Sequence, residues 1–351
     1  MTLGRLLSIG DPAIRLLRFI TRGYCGMGGT ALAGGARAMG KTGITASRLG
    51  YGAMELAGAG RARDLGEAEA IRFINRLVDL GINYIDTSID YGLSEILIGK
   101  ALAKRRGEFY LASKCGCAVG VAPEEKGESH SFTGENVIAG VEQSLRRLQT
   151  DHLDLVQVHG NPTRQELEDG GVIEAMLKLQ QDGKVRQLGI SQRLPYLAQY
   201  IDLPAFSIVQ VPYSALQRTN EDAIAALNKA GKAVVCRGVT GRGAPAKGWA
   251  TRPIGTADGE VKSLWENAKL DELLDGMSRI EFMIRFVLSN PNVDVALVAT
   301  TDESHLVADI AYAAKGPLAA STYKAACERL DAAGGGAGQG KYQGGGPTTV
   351  L

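Results

Sequence analysis

The sequence is poor in the residues that hold metals and disulfides: four histidines and five cysteines among 351 residues. The cysteines, at positions 25, 115, 117, 236 and 327, are odd in number and scattered, which excludes a disulfide framework. One residue separates Cys115 from Cys117, not the two of a redox or zinc C-x-x-C pair. No metal is therefore expected, and the thiols read as reduced structural side chains of a cytoplasmic protein. Net charge is scarce as well. Against 39 Lys and Arg stand 38 Asp and Glu, leaving +1 and no basic face for nucleic acid. No apolar run approaches the roughly 18 residues of a membrane span, so a membrane partner is not expected either.

What is present is a globular composition, 45% hydrophobic and 22% charged, in a chain long enough for a large core. At about 150 residues per domain the length suggests two domains, but α/β barrels run to about 250 residues as one. The ends differ from the middle. Residues 1–34 carry Arg5, Arg15, Arg18 and Arg22 with a single acid, Asp11, before a glycine-rich stretch, C-G-M-G-G-T-A-L-A-G-G. That composition resembles a transit peptide and equally suits a bland extension. Its glycines do not make a dinucleotide-binding loop, because T-R-G-Y and not an apolar strand precedes them. The C-terminal G-G-G-A-G-Q-G-K-Y-Q-G-G-G reads as a flexible tail. The expected divisions are an extension at 1–34, a barrel at 35–332 and a tail at 333–351.

Between the ends, eight short apolar runs alternate with helical patterns. The runs are 49–53, 83–87, 109–114, 153–159, 185–191, 206–211, 232–237 and 294–300. After Ser94, read as an N-cap, Leu97, Ile98, Ala101 and Leu102 share a face, and Gly107 stops the helix. Ile138, Val141, Leu145 and Leu148 follow a cap at Thr133; Ile173, Met176, Leu177 and Leu179, then Ala223, Ala226 and Leu227, repeat the pattern. Eightfold strand–helix alternation predicts an α/β fold, a single (β/α)8 TIM barrel. A doubly wound open sheet is the runner-up, disfavoured because no glycine-rich loop follows the first strand.

Barrel sites occupy the C-terminal ends of strands. Those ends carry Asp86, Lys114 and His159, with Tyr91 in the loop after Asp86. Singly, each suits packing or a solvated surface; together, from three neighbouring strands, they suggest acid–base chemistry. A free phenol has a pKa near 10, a nearby ammonium lowers it, and a carboxylate holds the ammonium in place. A neutral imidazole can donate to a carbonyl oxygen. Such a site could reduce a carbonyl or oxidise an alcohol, given a hydride donor. In I-D-T-S-I-D-Y-G, Asp86 is then the partner of Lys114, while Asp90 is read as solvating the turn.

The stretch G-I-N-Y-I-D-T-S-I-D-Y-G-L-S-E-I-L-I-G-K-A-L, with L-A-S-K and L-D-L-V-Q-V-H, resembles the aldo-keto reductase family from about Ala36 to Leu330. The resemblance implies Tyr91 as proton donor, Asp86 and Lys114 as its tuners, and His159 as the group orienting the carbonyl. It implies a nicotinamide cofactor bound without a Rossmann fold, NADP(H) rather than NAD(H), and a small carbonyl or alcohol substrate.

The cofactor positions it implies are Gly52, Met54, Asp86, Ser191, Gln192, Gln210, Arg237, Gly238, Thr240, Arg242, Thr300, Thr301, His305 and Asp309. Departures accompany it: Gln192 replaces the family's Asn, and Arg237 stands where an aromatic often stacks on nicotinamide. His305 stands where an Arg, and Asp309 where an Asn, is common. Lys104-Arg105-Arg106 reads as a helix end matched to its dipole. Glu124, Glu125, Lys126 and His130 read as pocket wall rather than metal site, and Glu55, Trp249 and Trp265 as pocket lining or packing. The alternatives are an NADP(H)-binding regulatory subunit resembling potassium-channel β subunits, and a lyase forming a Schiff base on Lys114. A Lys114 paired with Asp86 would stay protonated, which argues against the lyase.

Overall fold

The computed structural model describes residues 31–58, 65–119, 130–241 and 264–337. It begins with an antiparallel pair, β1 (Ala36–Ala38) and β2 (Thr45–Ser47), turned by Gly40 and Gly43 at positive φ. There follow β3 (Leu49–Gly52), β4 (Tyr84–Asp86), β5 (Tyr110–Cys115), β6 (Leu153–Val158), β7 (Val185–Ser191), β8 (Ile208–Pro212), β9 (Ala233–Arg237) and β10 (Val295–Val298). Each pairs in parallel with the next, and β10 returns to β3 to close the barrel. Every strand read from the sequence is present, within two residues at its ends. Both faces of such a sheet are covered, so its strands read as continuous apolar runs.

Two separate clusters make the core. Tyr84, Ala112, Leu155, Ile208, Ala233, Val235, Val295 and Leu297 fill the barrel together with Met39, Ile44 and Ala46 of the hairpin. The larger cluster packs the outer strand faces against the helices. The hairpin closes the N-terminal mouth: Lys41 donates to the Gly231 carbonyl, and Gln187 Nε2 to that of Thr42. This leaves the C-terminal strand ends for chemistry. The described fold reaches into both stretches set apart as termini. Ala33 is 2% exposed and donates to Gly81, and Gly335 lies against Leu264. The remainder of 1–34 and of 333–351, including the arginines and Cys25, lies outside the described residues.

The helices that matter here are α1 (Glu67–Asp79), α2 (Ser94–Leu102), α3 (Gly134–Leu148), α4 (Arg164–Asp169), α5 (Val172–Gln181), α6 (Glu221–Lys229), α7 (Arg279–Ser289) and α8 (Glu303–Ala314). Thr133 caps α3 as expected, accepting from Asn136 N. Ser94 does not cap α2. It is the first helical residue, and its hydroxyl donates to the Ala53 carbonyl and bonds Thr87 Oγ1. The helix ends at Leu102, before Gly107, and tightens into 3-10 turns over Ala103–Glu108.

Arg105 and Arg106 do more than complement a dipole. Arg105 meets Asp79 and Glu108, and Arg106 reaches the buried Asp154 at 2.6 Å. Gly99 lets α2 sit on α3, since a Cβ there would stand 2.3 Å from the Arg147 carbonyl oxygen. Ile138 and Leu177 face outward, at 40% and 38% exposure, while Val137 and Ala175 take the inward positions. Among the described residues no helix is long and apolar enough to cross a membrane.

Candidate active site

The three strand-end residues and Tyr91 converge at the C-terminal mouth. Lys114 Nζ, 1% exposed, lies 2.7 Å from Asp86 Oδ2 and donates also to the Thr87 carbonyl at 2.7 Å. Asp86 Oδ1 is held by the amides of Gln157 (2.9 Å) and Gln210 (2.8 Å), so both carboxylate oxygens are occupied. The Lys114 ammonium sits 4.7 Å from the centre of the Tyr91 ring. That ring meets the His159 imidazole edge-on, with centres 6.4 Å apart.

The electrostatics follow from burial and these neighbours. Burial opposes the ammonium of Lys114, but Asp86, Tyr91 and Asp90 outweigh it and hold the pKa above the ordinary lysine value. Burial also pushes the Tyr91 phenol up; Lys114 and Arg237 pull it down without prevailing, and Asp86 and Asp90 add to the rise. The net upward direction differs from the lowering expected of an adjacent ammonium alone, because desolvation of the phenolate is the largest effect. Burial, opposed by Asp90, holds His159 below the ordinary imidazole value.

Asp90 is not a solvated turn residue. Its side chain is 4% exposed, and its Oδ2 lies 3.6 Å from His159 Nδ1. On the same nitrogen, Cys117 Sγ stands at 3.3 Å. Neither contact was legible, because Asp90 and Cys117 stand beside stronger signals and their approach to His159 depends on three separate loops. Gln157 was missed too, although its signal existed: a polar residue inside an apolar strand, two positions before His159.

Among the cofactor positions, Ser191 Oγ donates to Gln210 Oε1 at 3.0 Å, so these two adjoin Asp86. Gln192 turns away, its amide donating to the Pro162 carbonyl at 2.8 Å. Gly52 ends β3, and Met54 and Glu55 lie in the 3-10 turn that follows. Arg237 ends β9, close enough for its charge to act on Tyr91 and His159. Gly238, at φ +70, opens a turn through Thr240 in which Gly241 N bonds the Gly238 carbonyl. Arg242, Trp249, Glu124, Glu125 and Lys126 lie outside the described residues.

After β10, the Thr300 hydroxyl accepts from Asp302 N, Thr301 is buried, and Asp302 caps α8 by accepting from Ser304 N and His305 N. His305 is exposed; Asp309 is buried, its carboxyl pushed up to about 7 by desolvation. Trp265 is not pocket lining: it packs against Phe282 with Nε1 bonded to Asp271. His130 is indeed beside the site, its ring 5.6 Å from that of His159.

Proton-carrying groups set around the C-terminal mouth of a closed parallel barrel place this chain, by class, among (β/α)8 enzymes. The profile of the aldo/keto reductase family matches residues 48–330, and the chain belongs to that family of oxidoreductases. It is 28% identical over 271 residues to the oxidoreductase YqkF of Bacillus subtilis (strain 168), covering 73% of this chain and 84% of that one. It is 34% identical over 167 residues to L-galactose dehydrogenase of Arabidopsis thaliana, covering 44% of this chain and 47% of that one. The holo form of aldo-keto reductase AKR11C1 from Bacillus halodurans superposes with a TM-score of 0.72 at 28% identity, over 84% of this chain and 95% of that one. Enzymes of this family use nicotinamide cofactors and act on small molecules.

Proposed function

We propose that the protein is an NAD(P)(H)-dependent oxidoreductase that interconverts an aldehyde, ketone or sugar-type alcohol, with Tyr91 as general acid and base. The observation that carries this reading is the buried Lys114–Asp86 pair at 2.7 Å, set under the Tyr91 ring and opposite His159. A high phenol pKa keeps the Tyr91 proton available for a carbonyl oxygen that gains negative charge. The Lys114 ammonium then stabilises the phenolate left behind. Asp86, fixed by Gln157 and Gln210, keeps that ammonium charged and in place. His159, neutral, donates a second hydrogen bond to the same oxygen. In the oxidative direction the proton runs the other way. The similarity to L-galactose dehydrogenase supports the sugar-alcohol end of the substrate range.

The donor set suits a nicotinamide dinucleotide. Ser191 and Gln210 offer hydroxyl and amide groups to the carboxamide, and Arg237 a plane for the ring. Gly238 and Thr240 offer backbone to the pyrophosphate, with the hydroxyls of Thr300 and Thr301 beyond. When bound, the nicotinamide supplies or takes the hydride. The family expectation is NADP(H). One observation favours NAD(H): the first-turn N–H groups of α8 are bonded to the Asp302 carboxylate, which would repel a 2′-phosphate, and His305 stands where an Arg is common.

Fluorescence titration with NADPH and NADH, followed by a carbonyl and sugar panel with the preferred nucleotide, tests the reading. Tyr91→Phe is expected to bind the nucleotide within about threefold of wild type, yet to lose a factor of at least about 10² in turnover. Unchanged turnover in Tyr91→Phe would refute the mechanism. Tight binding with no turnover of any substrate by the wild type would favour the regulatory alternative.

A further inference from the structure

Beside the proposed carbonyl site lies a cluster of which the oxidoreductase chemistry uses His159 alone. Cys117 Sγ, a ring nitrogen of His130 and a ring nitrogen of His159 all lie within 4.8 Å of one another. Sγ stands 3.3 Å from His159 Nδ1. Tetrahedral zinc, with bonds of about 2.3 Å to sulfur and about 2.0 Å to nitrogen, requires ligand atoms about 3.5 Å apart. The observed spacing needs only small side-chain rotations to meet that demand.

The cluster is held from the backbone. Cys117 and His130 face each other across an antiparallel bridge, and Ser131 N donates to the Gly116 carbonyl at 2.8 Å. His159 N donates to the Cys115 carbonyl at 2.9 Å, and the Asn136 amide to the Cys117 carbonyl at 3.1 Å. Gly160 makes room for His130, since a Cβ there would stand 2.3 Å from the imidazole Cδ2. Of the seven buried side-chain polar atoms without a hydrogen-bond partner among the described residues, two lie here: His130 Nε2 and Asp90 Oδ1. The other oxygen of Asp90 lies 3.6 Å from His159 Nδ1, in a side chain 4% exposed. Unpartnered buried polar atoms are uncommon and call for a ligand or water.

We propose that Cys117, His130 and His159 form a binding site for one borderline-soft divalent cation of the zinc type, with Asp90 supplying compensating negative charge. Thiolate and imidazole are the donors such an ion prefers, and hard cations such as magnesium are excluded. On binding, the Cys117 thiol proton leaves to solvent and its sulfur takes the ion as thiolate. With the carboxylate of Asp90, two negative charges then balance the two positive charges of the ion, and the fourth tetrahedral position falls to water. This departs from the sequence expectation of no metal, which rested on the scarcity of histidine and the one-residue spacing of Cys115 and Cys117, and from the reading of His130 as pocket wall. The tertiary fold recruits a different set, one cysteine with two histidines from separate loops. Since His159 belongs also to the proposed carbonyl site, and on that reading, the ion acts as a reversible brake: coordination through Nδ1 turns the ring toward Cys117 and His130 and carries its other nitrogen off the substrate oxygen.

The test uses Co²⁺ as probe on the full chain, followed by absorbance, which requires no turnover. The expected result is one equivalent bound, with tetrahedral d–d bands and a near-ultraviolet thiolate-to-cobalt band, displaced by Zn²⁺. Cys117→Ser should abolish the thiolate band, and Cys117→Ser and His130→Gln should each weaken binding at least tenfold. Cys327→Ser, at a distant thiol, should leave both unchanged. Wild-type binding in the two site variants, or loss of the band in Cys327→Ser, would overturn the site. Should Cys117→Ser fail to fold, His130→Gln decides alone. If the oxidoreductase reading holds, Zn²⁺ lowers wild-type turnover reversibly with chelator, and Cys117→Ser escapes. Inhibition that persists undiminished in Cys117→Ser would overturn the brake.

Discussion

At the scale of single residues, burial decides what a titratable group can do. Asp86 and Asp309 are both buried aspartates, but only Asp86 is surrounded by donors: Lys114, Gln157 and Gln210. Asp309 has desolvation alone acting on it, and its carboxyl rises from 3.8 to about 7. Between those two values the folded chain keeps this proton and the unfolded chain releases it. Stability therefore falls as pH rises through that window, and the loss remains above it. Asp309→Asn, which restores the residue common in the family, should raise unfolding stability at pH 8 by on the order of 3 kcal/mol. At pH 3, below both values, the gain should nearly vanish. Denaturant unfolding at the two pH values measures this, and equal gains at both would refute it. Single residues were also where reading from sequence reached its limit. Asp86, Tyr91, Lys114 and His159 were legible because each stands at or just past a strand end. Asp90 was misread because nothing in I-D-T-S-I-D-Y-G says which of two aspartates meets an imidazole 69 positions on.

At the scale of elements, the strands declared themselves and the helix details did not. A strand covered on both faces leaves an unbroken apolar run, so all eight could be found. Helix faces are a matter of phase, and an error of one or two residues assigned Ile138 and Leu177 inward. Caps depend on partners: Ser94 looked like a cap by type, but Ala53 and Thr87 draw its hydroxyl into the interior. The ties between elements were hidden altogether. Asp154, near the start of β6, accepts from Arg106, from Arg186 and from Leu111 N of β5. Removing it leaves the Arg106 guanidinium, 15% exposed, without its main partner. Asp154→Ala is expected to lose about 3 kcal/mol of stability, read from urea unfolding. Nucleotide affinity should be unchanged, because this tie lies at the end of the barrel away from Tyr91.

At the scale of the whole molecule, the two mouths of the barrel divide the labour. The β1–β2 hairpin places Met39, Ile44 and Ala46 among the interior side chains and shuts the N-terminal mouth. Met39 is fully buried, so Met39→Ala should cost about 2–5 kcal/mol in thermal or chemical unfolding. If the hairpin is only a plug, nucleotide titration of that variant should match wild type; a tenfold weaker affinity would show that the two mouths are coupled. The sequence by itself determined the barrel, its strand order and the four residues at its open mouth. It could do so because apolar runs, their alternation with helical spacing and the residue at each strand end are properties of local order along the chain. The tertiary structure alone decided that desolvation outweighs Lys114 at the Tyr91 phenol, and that Gln157 steadies Asp86. It alone decided that Asp90, Cys117 and His130 gather around His159. Those outcomes depend on distances between segments far apart in the chain, and on the loss of water that follows when they close together.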